Sequence, residues 1–398
     1  MDWIDQFMAV TDGVNAPTPF RLWAAISAVG ASLERRVWMR SALGVTYPNL
    51  YVMLVAKPGI GKSQAMGPIE HIMRQLKHIN LSPKRFTTAA LVDKLSKSMR
   101  VILPTTPTGK MYEYSALYTL VSELGVLINA HDLDLLSVIN DIFDNPPDFR
   151  EQRRHVNQGK ELPIYRPQLN MLVGAQPGFL ASILPEEAWQ MGTMSRFIMV
   201  FADDAPTLDL FGKIIDREPS FNTLADQMKP WTEIMGQVEM TPESVKCLRE
   251  TFRGGFVPAP DHPKLESYNN RRFQFLMKLS MIAAVSRTSG LLIEEVDVIR
   301  AKDWLLSAET HMPSVFKAMS IKSDHLLLHE LHLAVWKKWR EEKKLIEESF
   351  LYNFFQEKTY AERIPRLIEA AVKGRLIADK GMGMYQPVPR MEWINGGK

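Results

Sequence analysis

Residues 50–63 constrain the fold of this 398-residue chain more than any other segment. Residues 50–55 form a short apolar run without clear alternation, which predicts a strand buried on both faces of a parallel sheet. Residues 56–63 then read Ala-Lys-Pro-Gly-Ile-Gly-Lys-Ser, and a helical pattern continues to about residue 77. A strand, a glycine loop and a helix in this order are the context that a phosphate-binding loop requires.

This glycine loop predicts a nucleotide site. Glycines let successive backbone N–H groups turn towards phosphate oxygens, and the following helix directs its positive end at them. Lys62 is expected to bind the β- and γ-phosphates, and the Ser63 hydroxyl to coordinate Mg²⁺. Ala56 stands where the strict motif has its first glycine, and a coincidental loop is the alternative. ATP and Mg²⁺ are the predicted cofactors, held by Pro58, Gly59, Ile60, Gly61, Lys62, Ser63 and Gln64.

Three further apolar runs, at 117–121, 169–174 and 197–201, alternate with helical patterns such as 132–143. This alternation predicts an α/β fold with a parallel sheet. Glu123 follows the first run and is the candidate base that polarises an attacking water, while Ser122 stands where such sites often have a metal-organising aspartate. Gln176 follows the second run and is the candidate γ-phosphate sensor. A surface carboxylate and a turn residue are the alternatives.

Two groups of basic residues suggest further contacts. Arg196 precedes the third run and is a candidate for neutralising charge on a γ-phosphate, often from a neighbouring subunit; a solvated charge is the alternative. Residues 148–166 predict a basic hairpin with its turn at 157–160. The hairpin could line a DNA pore or simply be solvated. Its candidate DNA contacts are Arg153, Arg154, His155 and Lys160.

The two ends of the chain have different patterns. Residues 1–47 have helical spacing, and 269–287 and 294–310 are strongly helical. Helical patterns at 326–340, 346–356 and 361–373, followed by a strand, a glycine turn and a strand at 374–388, outline a winged helix-turn-helix. A helical cap with a trailing hairpin is the alternative. Lys373 and Arg375 are candidate DNA contacts, whereas His325, His329 and His332 predict a polar helix face rather than a metal site.

Composition excludes several classes of protein. The 48 Lys and Arg residues and 45 Asp and Glu residues leave a net charge of +3, so any basic surface must be local. A single cysteine, Cys247, excludes a disulfide framework and a cysteine-based zinc cluster. No apolar stretch approaches the roughly 18 residues of a membrane helix, and the acidic, mixed N-terminus is not a signal peptide. A cytoplasmic protein without membrane contact is expected.

Taken in order, these motifs resemble a family of phage- and prophage-encoded, helicase-like P-loop ATPases. The residues that carry the resemblance are 47–51, 56–63, 121–123, 174–177 and 192–197, and it covers roughly residues 1–310. Residues 194–197 are also similar to the arginine finger of minichromosome-maintenance helicases. Those helicases have a basic hairpin, a lid with an arginine and a C-terminal winged helix. By that likeness Arg271 and Arg272 would contact nucleotide. Ala56, Ser122 and Gln176 depart from the pattern.

The resemblance implies a P-loop NTPase core of the AAA+ or RecA-like kind. The expected segments are an N-terminal helical segment at 1–48, an ATPase core at 49–205, a helical lid at 206–320 and a winged helix at 321–398. The function it implies is an ATP-dependent DNA helicase that forms an oligomer, most simply a hexameric ring, with Arg196 acting across the subunit interface. An ATP-switched replication initiator or helicase loader, which would contact other replication proteins, is one alternative. A non-motor ATPase that acts on a protein partner is the other.

Overall fold

The chain divides into two compact units, Met1–Phe316 and Lys317–Lys398. The computed structural model describes residues 2–42, 44–103, 111–128, 132–149, 164–183, 192–206, 215–356, 358 and 363–389. Within these ranges, no helix combines the length and apolar character needed to cross a membrane. The predicted segments 1–48 and 49–205 fall in the first unit, together with all but the last residues of 206–320.

The first unit alternates helices and strands. Its helices are α1 (Trp3–Val10), α2 (Thr18–Leu33), α3 (Lys62–Gln75), α4 (Thr88–Lys97), α5 (Leu124–Leu127), α6 (Leu133–Phe143), α7 (Pro177–Ile183), α8 (Glu218–Met228), α9 (Pro242–Arg253), α10 (Glu266–Asn269) and α11 (Arg272–Thr288). Its strands are β1 (Val37–Ser41), β2 (Gly44–Thr46), β3 (Tyr51–Val55), β4 (Met99–Ile102), β5 (Tyr112–Val121), β6 (Asp148–Phe149), β7 (Ile164–Tyr165), β8 (Pro167–Ala175), β9 (Phe197–Phe201), β10 (Gly236–Gln237), β11 (Glu239–Met240) and β12 (Leu292–Ile293). The boundary between the units falls inside α12 (Glu295–Glu342).

A five-stranded sheet in the order β4-β5-β8-β3-β9 forms the centre of the first unit. β5, β8, β3 and β9 are mutually parallel, and β4 pairs antiparallel with β5 at one edge. Every residue of β3, β8 and β9 is buried, as expected for strands covered on both faces. The predicted α/β fold is confirmed, although β5 begins five residues before the predicted run and β4 was not predicted.

Helix α2 packs against the sheet and against α11. Thirteen of its sixteen residues are buried, because it is covered on more than one side. Gly30 permits the close approach: a Cβ at this position would lie 2.8 Å from the carbonyl oxygen of Pro48 and 2.9 Å from Ile282. α2 therefore joins the sheet to the helices that follow it in the sequence.

The prediction that residues 1–47 are helical throughout is wrong beyond residue 36. Glu34 has a φ of +48°, which is incompatible with a continuing helix, and two strands follow it. β1 begins with the alternating burial of a half-covered strand, and it pairs antiparallel with β2 and parallel with β10. A β-branched and an aromatic residue, Val37 and Trp38, favour the strand.

The second unit has three helical segments and a three-stranded sheet. They are the end of α12, α13 (Glu348–Gln356) and α14 (Ile364–Lys373), with β13 (Ile346–Glu347), β14 (Ile377–Asp379) and β15 (Met384–Pro387) in the order β13-β15-β14. Both pairings are antiparallel. The core includes Leu331, Val335, Leu351, Phe355 and Leu367. The helices and the hairpin predicted after residue 345 are confirmed as elements, and β13 was not predicted.

The prediction of separate helices at 294–310 and 326–340 is wrong, because α12 runs through both without a break. Pro313 lies inside it, yet Met312, Val315, Phe316 and Met319 are buried at helical spacing. His332 is buried and its Nε2 lies 2.9 Å from the carbonyl oxygen of Val388, so this histidine does not lie on the polar helix face that the sequence predicts.

Candidate functional site

The glycine loop at 56–61 leaves the carboxyl end of β3 and enters α3. Gly59 and Gly61 have φ values of +85° and +83°, a backbone conformation that glycine adopts without strain. A Cβ on Gly61 would also lie 2.1 Å from the carbonyl oxygen of Asn15, so the loop packs directly on the turn between α1 and α2. The loop therefore needs glycine at position 61 for both conformation and space.

Lys62 begins α3 and folds back over this loop. Its Nζ donates to the carbonyl oxygens of Ala56, at 2.9 Å, and Lys57, at 3.1 Å, and only 6% of the residue is exposed. Burial lowers the pKa of Lys62, and the nearby negative charge of Glu123 partly opposes that effect. Within the described ranges no carboxylate lies within ion-pair distance of Nζ, so the ammonium group is held by neutral carbonyls that an anion could displace.

Glu123 and Gln176 meet at the same edge of the sheet. They follow β5 and β8, and the Gln176 side-chain amide donates to Glu123 Oε1 at 3.2 Å. Gly174, near the end of β8, packs closely against both neighbouring segments, because a Cβ there would lie 2.1 Å from the Ser122 carbonyl oxygen and 3.4 Å from Lys62 Cδ. Three residues that the sequence predicts as functional, Lys62, Glu123 and Gln176, are thus brought together at the carboxyl ends of β3, β5 and β8.

The strand that carries Glu123 is not the immediate neighbour of the strand that precedes the glycine loop. β8 lies between β5 and β3. Adjacent strands are about 4.8 Å apart, so roughly 10 Å separate the ends of β3 and β5. This spacing leaves room for a phosphate group and a water molecule between the loop and Glu123.

The oxygen donors near the loop suit a metal ion that arrives with a nucleotide. Ser63 and Gln64 are exposed in the first turn of α3, and Pro58 and Gly59 are exposed in the loop. Within the described ranges no group of three or more His, Cys, Asp or Glu side chains could hold a metal. Mg²⁺ commonly binds through one or two protein ligands together with phosphate oxygens and water. The exposed Ser63 hydroxyl fits that coordination.

Arg196 lies at the opposite end of the parallel strands from the glycine loop. Phe197 pairs with Tyr51, the first residue of β3, whereas the glycine loop follows Val55, the last. Five residues of strand span about 16 Å, so Arg196 and the loop are at opposite ends of the central strands. Arg196 Nη2 lies 2.5 Å from Asp144 Oδ2, and Nη1 donates to the carbonyl oxygen of Gly192 at 3.0 Å. The guanidinium group cannot reach a phosphate bound at its own loop.

The two arginines of the predicted lid, Arg271 and Arg272, have different partners. Arg271 donates to the second oxygen of Asp144 at 3.1 Å, so Asp144 holds Arg196 and Arg271 together. Arg272 is 2% exposed and binds both oxygens of Glu309, at 2.7 and 2.6 Å, and also donates to the carbonyl oxygen of Pro258. Its hydrogen-bonding groups are used inside the fold. The prediction that Arg272 contacts nucleotide is therefore corrected to a structural role.

The candidate DNA contacts are only partly described. Arg153, Arg154, His155 and Lys160 lie outside the described residues, but β6 and β7, which flank them, pair antiparallel as a hairpin requires. In the second unit, Lys373 and Arg375 are exposed at the end of α14. Lys373 Nζ lies 2.5 Å from Glu369 Oε1, and Arg375 has a φ of +54° just after the helix.

Two residues of the first unit escaped sequence analysis. Asp144 joins Arg196 to Arg271, as described above. Lys278 is fully buried, donates to the backbone oxygen and Oδ1 of Asn49 at 2.9 and 2.8 Å, and lies 4.1 Å from the centre of the Phe143 ring. A single lysine in the otherwise apolar run of α11 was the available signal for Lys278. Asp144 left no such signal.

No protein-family model matches the chain, and a comparison with curated proteins returns no match. Function is therefore inferred from the residues themselves. The features that carry chemistry are the glycine loop with Lys62, the Glu123–Gln176 pair beside it and the arginine cluster at the far edge of the sheet.

Proposed function

We propose that this chain is an ATP-dependent DNA motor that works as an oligomer, of the phage helicase-like kind that its motifs resemble. The observation that carries the proposal is the meeting of Lys62, Glu123 and Gln176 beside a loop with two left-handed glycines. A cation, a carboxylate and an amide around a glycine loop at a helix N-terminus are the groups that phosphoanhydride hydrolysis uses.

On this proposal the core is a P-loop NTPase, and each group at the carboxyl edge has a separate task. The loop amides and Lys62 bind the phosphates, with Lys62 exchanging its two carbonyl partners for phosphate oxygens. Glu123 accepts a proton from the attacking water, and Gln176, already bonded to Glu123, orients that water. Mg²⁺ bound by Ser63 would neutralise charge on the β- and γ-phosphates.

The oligomer is proposed because Arg196, the candidate γ-phosphate arginine, lies at the opposite end of the central strands from the loop of its own subunit. Arg196 and Arg271 lie at the amino edge of the sheet, where a neighbouring subunit could present its loop to them. Arginines supplied from a second chain stabilise the transition state in related chemistry. In a closed ring, the loop of every subunit would face the arginine pair of a neighbouring subunit.

DNA contact is proposed at two places. The β6–β7 pair supports the proposed hairpin, whose basic residues between 150 and 163 would contact a DNA strand. In the second unit, three helical segments and a three-stranded antiparallel sheet support a winged helix, with Lys373 and Arg375 exposed beside it. Salt-dependent binding would follow from either contact.

The proposal is tested first by ATP turnover of the full chain. Lys62→Ala removes the charge that holds the phosphates and should abolish turnover. Glu123→Gln keeps the shape and the hydrogen bond to Gln176 but cannot accept a proton, so it should bind ATP normally and hydrolyse it at least ~100-fold more slowly. Lys246→Ala, an exposed lysine on α9, is the matched control. Near-normal turnover in a folded Lys62→Ala protein would overturn the nucleotide site.

A strand-displacement assay on forked DNA separates a motor from an initiator or loader. A motor unwinds the fork only with hydrolysable ATP, whereas an ATP switch binds the fork without unwinding it. Turnover that DNA does not stimulate would instead favour an ATPase that acts on a protein partner.

A further inference from the structure

A groove on the first unit has none of the residues assigned above to nucleotide or DNA in its lining. It has a volume of about 370 Å³ and lies between the end of β1, helix α9 and the start of α11. This volume is within the ~300–1,000 Å³ of typical ligand sites. Apolar side chains form its floor, among them Met39, Leu248, Phe273 and Met277.

Phe252, at the margin of this groove, is a large apolar side chain that is exposed to solvent. The ring packs edge-on against Phe273, with the ring centres 4.9 Å apart, yet 57% of the residue is accessible to solvent. Val245, Leu248 and Phe252 occupy one face of α9 at helical spacing. A contiguous exposed apolar surface with an aromatic residue at its margin is typical of a binding site rather than of an ordinary protein surface.

Three arginines surround the groove. Arg40 comes from β1, and Arg249 and Arg253 lie one turn apart on α9. All three are exposed, and within the described ranges none of them makes an ion pair or a side-chain hydrogen bond. Glu250 of the same helix is not part of the lining, and its carboxylate faces Lys246 at 3.9 Å. The rim is therefore positively charged.

We propose that this groove binds an acidic peptide segment of a partner protein. Carboxylates of the segment pair with Arg40, Arg249 and Arg253, and one or two of its apolar side chains fill the cavity. The flexible side chains of Met39, Met240 and Met277 allow the floor to adapt to such side chains.

The chemistry of the groove favours a peptide over other anions. A nucleic-acid base would leave its polar edges without partners against an apolar floor, which is unfavourable. A fatty acid brings one carboxylate to three guanidinium groups. A peptide with several aspartates or glutamates next to an apolar residue satisfies both the rim and the floor.

The probe for this proposal is a fluorescein-labelled peptide of four aspartates followed by leucine and phenylalanine. Its binding to the full chain is measured by fluorescence anisotropy at low salt. One control peptide replaces the aspartates with asparagine, and another replaces the leucine and phenylalanine with serine. We expect the first peptide to bind at least ~10-fold more tightly than either control, because rim and floor both contribute.

Protein variants locate the binding. Replacing Arg40, Arg249 and Arg253 together by glutamine should weaken binding at least ~10-fold, as should Phe252→Ser. A matched variant replaces Lys84, Lys229 and Lys246 by glutamine; it removes the same charge from exposed positions outside the groove and should bind as the wild type does. Melting temperatures of all variants check that the fold is intact.

Several outcomes would overturn the proposal. These are no binding up to about 1 mM peptide, equal binding of all three peptides, or unchanged binding by a folded triple-arginine variant. Displacement of the peptide by oligothymidylate would make the groove a nucleic-acid surface, and displacement by oleate would make it a lipid site. ATP turnover does not enter the test, so its result is independent of the proposed nucleotide site.

Discussion

Lys278 is a buried lysine whose contribution to the free energy of unfolding depends on pH. It is fully buried against Asn49 and Phe143, and burial holds its pKa well below the ordinary lysine value. The unfolded chain therefore binds a proton that the folded chain releases first, and stability rises with pH between the lowered pKa and about 10.4.

Replacing Lys278 by methionine should remove this dependence. Urea unfolding measured from about pH 6 to pH 10 should show a rise in the wild type of up to about 1.36 kcal/mol per pH unit that is absent in Lys278→Met. Lys246→Met changes an exposed lysine and should keep the rise. The same slope in Lys278→Met would show that Lys278 is not the titrating group.

Single residues were predictable from the sequence when they belong to a local pattern. Glu123 and Gln176 lie within two residues of the end of a buried strand, and Lys62 follows another such strand after the glycine loop, so their meeting at one end of the sheet could be expected. Asp144 and Lys278 are defined by partners far along the chain: 127 residues separate Asp144 from Arg271, and 229 separate Lys278 from Asn49. No spacing rule connects such pairs. Arg272 was assigned to nucleotide binding from a family resemblance alone, and the structure instead places it in a buried ion pair with Glu309.

The strands of the sheet depend on one close contact near the candidate site. Gly174 of β8 faces the Ser122 carbonyl at the end of β5, and a methyl group cannot fit there because the neighbouring atom belongs to the backbone. Gly174→Ala should therefore destabilise the protein by about 1–3 kcal/mol and, by displacing Glu123, slow ATP turnover.

Gly67→Ala is the matched change for this strand. Gly67 lies on α3 directly before Pro68, and a methyl group added there would meet no atom outside its chain neighbours and its own helix backbone within 4 Å. The gain in helix propensity and the crowding of the new Cβ by the Pro68 ring oppose each other, so Gly67→Ala should change stability less than Gly174→Ala does. Thermal unfolding and turnover are measured on both variants. A Gly174→Ala protein as stable and active as Gly67→Ala would contradict the contact.

Elements with one dominant period were predictable, and elements decided by distant packing were not. The apolar runs of β3, β8 and β9 indicated the sheet, and its α/β class followed. β1 and β2 were missed because the helical spacing, whose last residue is Leu33, was extended up to Pro48, and the sequence does not indicate the left-handed backbone conformation of Glu34 that ends the helix. α12 was divided because Pro313 and polar residues mask a stripe that becomes apparent only when it is buried.

For the whole molecule, the proposed interface predicts complementation. Lys62→Ala and Arg196→Ala should each be inactive alone and should partly recover ATP turnover when mixed, because some interfaces then pair an intact loop with an intact arginine. The contribution of such an arginine can reach ~10³–10⁵ in rate. To reach a neighbouring phosphate, Arg196 must exchange its ion pair with Asp144, whose side chain is 45% exposed, for phosphate oxygens.

Turnover is measured over a range of mixing ratios, with co-assembly checked by size-exclusion chromatography. Asp203→Ala, an exposed acidic residue after β9, mixed with Lys62→Ala provides the control for dilution alone. Full activity of Arg196→Ala by itself would contradict a role across the interface. So would co-assembled mixtures that remain inactive.

The opposite placement of the loop and Arg196 also gives each subunit a front and a back. If subunits join front to back, a linear oligomer always has a loop without a partner arginine pair at one end and an arginine pair without a partner loop at the other. Such a linear oligomer has one fewer complete ATP site than it has subunits, and closing it into a ring adds an ATP site without adding a subunit. Activity per subunit would then measure closure, and the assembly would have a built-in direction in which one site can influence the next.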